Sequence, residues 1–549
     1  MNYEKVSPML AAVLADFERT GRPGLRPHVS NLGLVSTEPT ARPARVVVFL
    51  HVDAQADLED LSEYGVEVNA GEGPIRTGIV PLDGIERLSE DPAVTRIVPA
   101  RRLRPLLDVA VPAVGVPAMR KRGRLSGKGV VIGTVDTGIQ ASHPSFKGRV
   151  ARIWDQTMAG GKGVAEGRYG VELSGAMCDL SKDTIGHGTH VAGIAAGADR
   201  TYTGVAPRAQ LVIVKSDLLT AHIADGIRYI FRVASQLGCP AVVNLSLGGH
   251  DDAHDGTDSL SAVIDASVGP GRIVCCAAGN EGNDNIHAQV LAHQGVTRTI
   301  ACAIDSPGPG ELPIVANVNG WYSGADRIDV AVVGPSGTQT PFQPIISKGS
   351  PVRDYSLTDG VVRITSPGPD PANGDHNFIV QIQPAPAPLS PPPSPVPGGW
   401  RIRLNGVKVV HGRVDVWVID DVALFTGRAV QDSMKVGSPG AATRAITLAS
   451  YTTRVAWKDP AGKDHLLGLE LYDISDFSSE GPGRDGAQKP DLAAPGAAHR
   501  AAADRIGHLS QWRAAAHLRH RRNAHIRPNW LAGADERMRP TRQKLRARR

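Results

Sequence analysis

Cysteine is scarce: five residues in 549, at positions 178, 239, 275, 276 and 302. The count is odd and the spacing builds no framework, which excludes a disulfide-stapled scaffold and points to reduced thiols. Also missing is any run of ~18 uninterrupted apolar residues, so no membrane-spanning helix is expected. Residues 1–22 place Glu4, Lys5, Asp16, Glu18 and Arg19 around a short apolar stretch at Met9 to Leu14. They lack the basic start and small-residue cleavage site of an export leader, and a cytoplasmic location is the expectation. Aromatics are few, at 4%, within an otherwise globular composition of 41% apolar and 21% charged residues. A chain this long exceeds one compact core, and two to four domains are expected.

A large excess of charge of either sign is missing from most of the chain. Residues 497–549 hold 14 Lys and Arg against 3 Asp and Glu, while the other 496 residues hold 46 against 52. The net charge of +5 therefore describes the tail and not the body.

What is present is an ordered series of motifs. Val130-Val131-Ile132-Gly133-Thr134-Val135 is an apolar run suited to a buried parallel strand, and it ends on Asp136-Thr137-Gly138. Open α/β sheets carry their sites at such carboxyl ends. Gly186-His187-Gly188-Thr189-His190 follows, leading into a helix pattern over 187–197, and then Gly204-Val205-Ala206-Pro207. Further on come Ala241-Val242-Val243-Asn244-Leu245-Ser246-Leu247-Gly248-Gly249 and Ile273-Val274-Cys275-Cys276-Ala277-Ala278-Gly279-Asn280-Glu281-Gly282. Each motif alone is weak; four in one order are specific.

This series resembles the subtilisin-like serine proteases (peptidase family S8). The resemblance implies an α/β fold with a mostly parallel sheet covered by helices on both faces. It makes Asp136, His187 and Asn280 the catalytic residues: His187 as general base, Asp136 fixing its tautomer, and Asn280 as the oxyanion donor. His190 is expected to pack inside its helix. Ser246, Leu247, Gly248 and Gly249 match the edge that pairs with an extended substrate, where backbone bonds give affinity and side-chain pockets give preference. The family also needs a G-T-S-M-A-x-P motif carrying the nucleophile. Lys489-Pro490-Asp491-Leu492-Ala493-Ala494-Pro495-Gly496 matches the segment preceding it, and Phe477-Ser478-Ser479-Glu480-Gly481-Pro482 matches the approach to it, but no such motif follows. The nucleophile is therefore unassigned, and a peptidase inactive in this chain or a non-catalytic peptide binder is expected. A peptide or protein is the implied partner. No cofactor or metal site is assigned, although many relatives bind calcium.

Organisation follows from composition and period. Residues 1–44 read as an extension. Residues 45–107 show a β-α-β-β-α-β order, the ferredoxin-like pattern, which in this position resembles an inhibitory propeptide. The basic run Arg120-Lys121-Arg122-Gly123-Arg124 reads as an exposed linker. Residues 125–285 and 434–496 read as the two parts of the catalytic domain. Strands are expected at 129–136, 210–215, 241–246 and 272–277, and a helix at Ile223 to Gln236. Between them, 286–433 turns rich in proline and glycine with short alternating strands, as in an inserted jelly-roll-like β-sandwich. Pro384 to Pro397 forms its stiff proline-rich loop.

Two clusters have competing readings. His250-Asp251-Asp252-Ala253-His254-Asp255 has ligand-like spacing, but Gly256-Thr257-Asp258 after it reads as a turn and helix N-cap, which favours a structural role. Cys275 and Cys276 alternate on a strand and read as small buried hydrophobes. Residues 497–549 carry no period that buries a face. A basic nucleic-acid-binding tail is one reading. A frame-shifted translation is favoured, because the resemblance stops where the indispensable motif should begin.

Overall fold

The computed structural model describes residues 1–28, 32–35, 43–53, 60–69, 73–100, 104–105, 116–123, 125–199, 203–304, 315–383, 397–420, 422–453, 455–458, 464–466 and 468–497. All lie in one compact unit, Met1–Ala503. The proline-rich loop, except for Pro397, and residues 498–549 fall outside the described residues.

Helix α1 (Pro8–Thr20) opens the chain, with Ser7 as its N-cap, the serine Oγ accepting from the Leu10 N–H at 3.4 Å. A sheet follows from β1 (Leu34–Val35), β2 (Arg45–Val52), β3 (Glu67–Val68), β4 (Ile75–Pro81) and β5 (Val94–Pro99), with α2 (Ile85–Glu90) between the last two. Strand β2 pairs antiparallel with β4 on one side and with β5 on the other, and β3 adds to β4. The expected first helix is a 3₁₀ turn over Asp60–Tyr64.

Strand β2 is apolar on both faces, and a strand exposes alternate residues to opposite sides, so two covers are needed. Val47 and Phe49 join the core that contains Ile223, Ile227 and Ile230. Val46, Val48 and Leu50 pack with Leu10, Val13 and Leu14 of α1. Residues 1–44 therefore contribute one cover of this sheet. The boundary drawn at 45 does not coincide with a packing boundary.

Beyond the two-residue strand β6 (Arg104–Pro105), α3 (Val116–Gly123) contains most of the basic run expected as a linker. Arg120 in it is half-buried and donates to the carbonyls of Gly204 and Val205, so the run is a docked helix rather than a free connection.

The main sheet uses β7 (Val131–Asp136), β8 (Val150–Asp155), β9 (Val171–Leu173), β10 (Gln210–Lys215), β11 (Ala241–Leu245) and β13 (Arg272–Ala277), with the short β12 (Leu247–Gly248) just beyond β11. Helices α4 (His187–Ala196), α5 (Thr220–Gln236) and α6 (Ser259–Ser267) alternate with these strands. Gly133 is required in β7 because a Cβ there would run into the Ile230 side chain of α5. Asp258 caps α6, its carboxylate accepting from Leu260 and Ser261.

The chain then leaves this layer for an antiparallel sandwich. Its ten strands are β14 (His287–Leu291), β15 (Thr297–Ile304), β16 (Ala316–Tyr322), β17 (Arg327–Val333), β18 (Val352–Leu357), β19 (Gly360–Thr365), β20 (His376–Gln383), β21 (Gly398–Lys408), β22 (Arg413–Val418) and β23 (Ala423–Thr426). One sheet runs β14-β22-β16-β20-β19-β18 and the other β17-β21-β15-β23. Val318, Phe378, Trp400 and Phe425 are fully buried in the shared core. The main sheet resumes with β24 (Ile446–Thr452). After a small hairpin, β25 (Ala456–Lys458) and β26 (Asp464–Leu466), β27 (Leu492–Ala497) completes the order β27-β24-β13-β11-β7-β10-β8-β9. Neighbours in it are parallel except β8 and β9.

Candidate active site

Asp136 is the last residue of β7 and His187 the first of α4, and they meet at the carboxyl end of the main sheet. His187 Nδ1 lies 2.6 Å from Asp136 Oδ1, with both side chains at most 2% exposed. The same carboxylate oxygen accepts the Thr137 N–H at 2.7 Å. A buried carboxylate on Nδ1 leaves Nε2 as the working nitrogen of the imidazole. The glycines around His187 are steric requirements. Gly186 adopts φ 89°, and a Cβ on Gly188 would strike the carbonyl oxygen of Gly138.

A third carboxylate, which the sequence reading did not single out, ties these turns together. Asp183 Oδ1 accepts from Thr137 Oγ1 at 2.9 Å and from the Gly186 N–H at 2.8 Å, and Oδ2 accepts from the N–H and Oγ1 of Thr189 at 2.8 and 2.6 Å. Thr137 Oγ1 in turn accepts from the Gly188 N–H at 3.0 Å. The only signal in the sequence was an acid four residues before His187. His190 is 6% exposed, and burial, followed by the charge of His187, lowers its pKa to about 4.

Strand register brings the other predicted segments to the same end of the sheet. Asn244 of β11 pairs with Thr134 of β7 and Leu245 with Cys276 of β13, so Ser246 to Gly249 and Ala278 to Asn280 emerge beside Asp136. Ser246 Oγ accepts from Asn244 Nδ2 at 2.9 Å. Leu247 and Gly248 pair antiparallel with Pro105 and Arg104 of β6, and Gly249 donates to the Ser438 carbonyl at 3.0 Å. The edge assigned to an extended peptide is thus already paired with a segment of this chain.

Asn280 sits on the turn after β13. Its N–H donates to Glu281 Oε2 at 2.8 Å. Gly279, at φ 125°, has no room for a Cβ because Ser479 lies against it. Ser479 Oγ donates to Glu281 Oε2 at 3.1 Å and accepts the Glu281 N–H at 3.2 Å. The Phe477–Glu480 segment therefore buttresses the turn. Strand β27 ends at Ala497 beside β24, and the region where the nucleophile motif was sought lies outside the described residues.

The His250–Asp255 cluster is engaged in hydrogen bonds and ring stacking, and among the described residues no three His, Cys, Asp or Glu side chains converge on a metal position. Cys276 is buried and Cys275 half-buried on alternate faces of β13, and burial pushes the Cys275 thiol up to about 11. All five cysteines are free thiols. Among the described residues no helix is long and apolar enough to cross a membrane.

The mostly parallel α/β sheet thus carries a buried Asp–His pair at its carboxyl end, where open α/β sheets place their sites. Comparison with known proteins finds a family match over part of the chain. Residues 127–342 match the Subtilase family (Peptidase_S8). It is 31% identical over 199 residues to the major intracellular serine protease of Bacillus subtilis (strain 168), covering 34% of this chain and 55% of that protein. It is 28% identical over 233 residues to subtilisin E of the same organism, covering 40% and 54%. The chain thus spans about half the length of these relatives. Among solved structures, the Clostridium perfringens CspB protease superposes with a TM-score of 0.57 at 21% identity, covering 76% of this chain and 93% of that one. That likeness is one of fold.

Proposed function

We propose that the chain is built as a serine endopeptidase of the subtilisin type, hydrolysing peptide bonds in protein substrates through an acyl-enzyme. In this reading it is inactive as it stands, because the sequence supplies no nucleophile in the family's position. The observation that carries the proposal is the 2.6 Å contact between the buried Asp136 and His187. His187 is the base that takes the proton of an attacking hydroxyl. Asp136 holds its tautomer and stabilises the imidazolium that forms, and Asn280 donates to the oxygen on which charge develops. Ser246 to Gly249 hold the substrate backbone. A cytoplasmic location belongs to this reading and is supported by the five free thiols.

The pairing of Leu247 and Gly248 with β6 supports a second element: residues 45–107 act as a built-in inhibitor whose last strand occupies the substrate edge. The same pairing favours the alternative of a non-catalytic peptide binder, since the groove engages a strand without chemistry. A serine-directed phosphonate probe separates the two after restoration of a G-T-S-type motif behind Gly496. Labelling that requires His187 supports the peptidase. A restored chain that binds peptide at the groove but never labels supports the binder. A fragment of residues 1–107, which keeps the helix that covers this sheet, is expected to inhibit the restored enzyme at micromolar concentration when added in trans; absence of inhibition would remove the inhibitor role.

A further inference from the structure

The inserted sandwich leaves the protease layer next to Asn280, between Ala277 at the end of β13 and His287 at the start of β14. It also touches that turn from the other side, through a column of stacked rings. His250 stacks on His254, with centroids 5.3 Å apart and planes 11° apart. His254 stacks on Trp417 of the sandwich at 4.0 Å and 6°, and Trp417 on His287 at 4.7 Å and 14°. Trp417 Nε1 donates to the Met434 carbonyl at 2.8 Å, where the chain re-enters the protease layer. At the near end of the column, His250 Nε2 lies 3.5 Å from Glu281 Oε2, the oxygen that accepts the Asn280 N–H.

Hydrogen-bond accounting orders the protons. His254 is completely buried, and its Nδ1 faces the Asp252 carbonyl at 3.1 Å, so Nδ1 must be the donor. Its Nε2, 3.0 Å from His250 Nδ1, is then an acceptor in the neutral ring. Burial, followed by the charges of His250 and His287, disfavours a cationic His254 and supports that assignment. His250 therefore donates through Nδ1, and it can pair with Glu281 through Nε2 only when both ring nitrogens carry protons. The backbone of His254 is held at φ 54°, a conformation that persists in a non-glycine residue only where its surroundings fix it. The charged and titratable groups facing the column are Glu281 at its near end, Asp252 and Arg484 around His254, and Asp415 with its partner Arg413 at His287.

We propose that His250 and Glu281 are positioning residues for the Asn280 turn, and that the inserted sandwich sets their position through the His254–Trp417–His287 column. The inference rests on the reading of Asn280 as the oxyanion donor. Its test needs no peptide chemistry, so loss of the peptidase reading and loss of this one are distinguishable.

The measurement is hydrogen exchange by mass spectrometry on the full chain, following residues 278–284 at pH 6 with correction for intrinsic rates. The wild-type turn is expected to be protected. His250→Phe keeps a ring but no ring N–H and should exchange about tenfold faster, through loss of the 3.5 Å ion-pair contact with Glu281. His250→Arg keeps a planar cation and should stay protected. Trp417→Leu should loosen the same residues without changing protection in β7 or α4. If Trp417→Leu does not fold, the two His250 variants carry the test. Exchange in 278–284 that is unaltered by His250→Phe would overturn the proposal. So would loss of protection spread equally over β7, α4 and the turn.

Discussion

Replacing Arg363 with methionine should release the N-terminal helix from the inserted sandwich. Arg363, on β19, is 1% exposed and uses all five of its N–H groups. Nε and Nη2 donate to Asp354 at 2.7 and 2.9 Å, Nη2 to Asp16 Oδ1 at 2.6 Å, and Nη1 to Asp16 Oδ2 and the Ala12 carbonyl. Asp16, on α1, also pairs with the buried His28 at 2.8 Å. Burial by itself would raise the Asp16 carboxyl, but the bonds from His28 and Arg363 outweigh it and hold its pKa well below the usual carboxylate range.

Removing one partner of a buried pair costs about 3–5 kcal/mol, because an uncompensated charge stays behind. Arg363→Met should therefore lower the opening free energy of Pro8–Thr20, read by amide exchange on the full chain, by about that amount. Asp16→Leu combined with Arg363→Met should recover most of the loss, since the exposed Arg19 still serves Asp354. The sign with pH follows from the depressed Asp16 pKa. The contribution is complete above the unfolded value near 4 and fades as pH falls below it toward the folded value. A loss under about 1 kcal/mol, the worth of a surface bridge, or a double variant no better than the single, would refute the reasoning.

Three further outcomes are expected. In a serine-restored chain, Asn280→Ala should lower kcat by about 10²–10³ with KM little changed, the range measured for this donor in subtilisin. Asp136→Asn should cost more, about 10⁴, through the wrong imidazole tautomer, and steady-state kinetics showing equal, small effects would reject both roles. Asp225 of α5 is completely buried and accepts from Asn69, Thr77 and Tyr169, and burial raises its carboxyl to about 6. The folded state keeps this proton where the unfolded chain has lost it, so stability should fall by about 3 kcal/mol as pH rises from about 4 to above 6. In thermal melts across that window Asp225→Asn should flatten the slope, and an unchanged slope would remove the assignment. Finally, the DNA covering codons 490–549 should show an insertion or deletion near codon 497 that reopens a G-T-S-type motif; a clean sequence with no such motif in either other frame would favour a genuine basic extension.

The Asp136–His187 pair was legible because its determinants are local. A β-branched apolar run must end at the sheet edge, and the glycines flanking His187 are demanded by one tight turn and one close approach. The strand-turn-cap order around Asp258 and the alternation inside 286–433 were readable for the same reason, since each depends on neighbours within a few residues. Other features depend on partners far along the chain. Nothing local in Pro8–Thr20 says that this helix must cover β2 and bury Asp16 against a guanidinium 347 residues away. That follows only because β2 is apolar on both faces and one face is left over once α5 has taken the other. The docking of Arg120, the pairing of β6 with Leu247 and Gly248 and the ring column from His250 to His287 were likewise decided by packing. Periodicity in a sequence reports which residues are buried, and only the assembled fold reports against what.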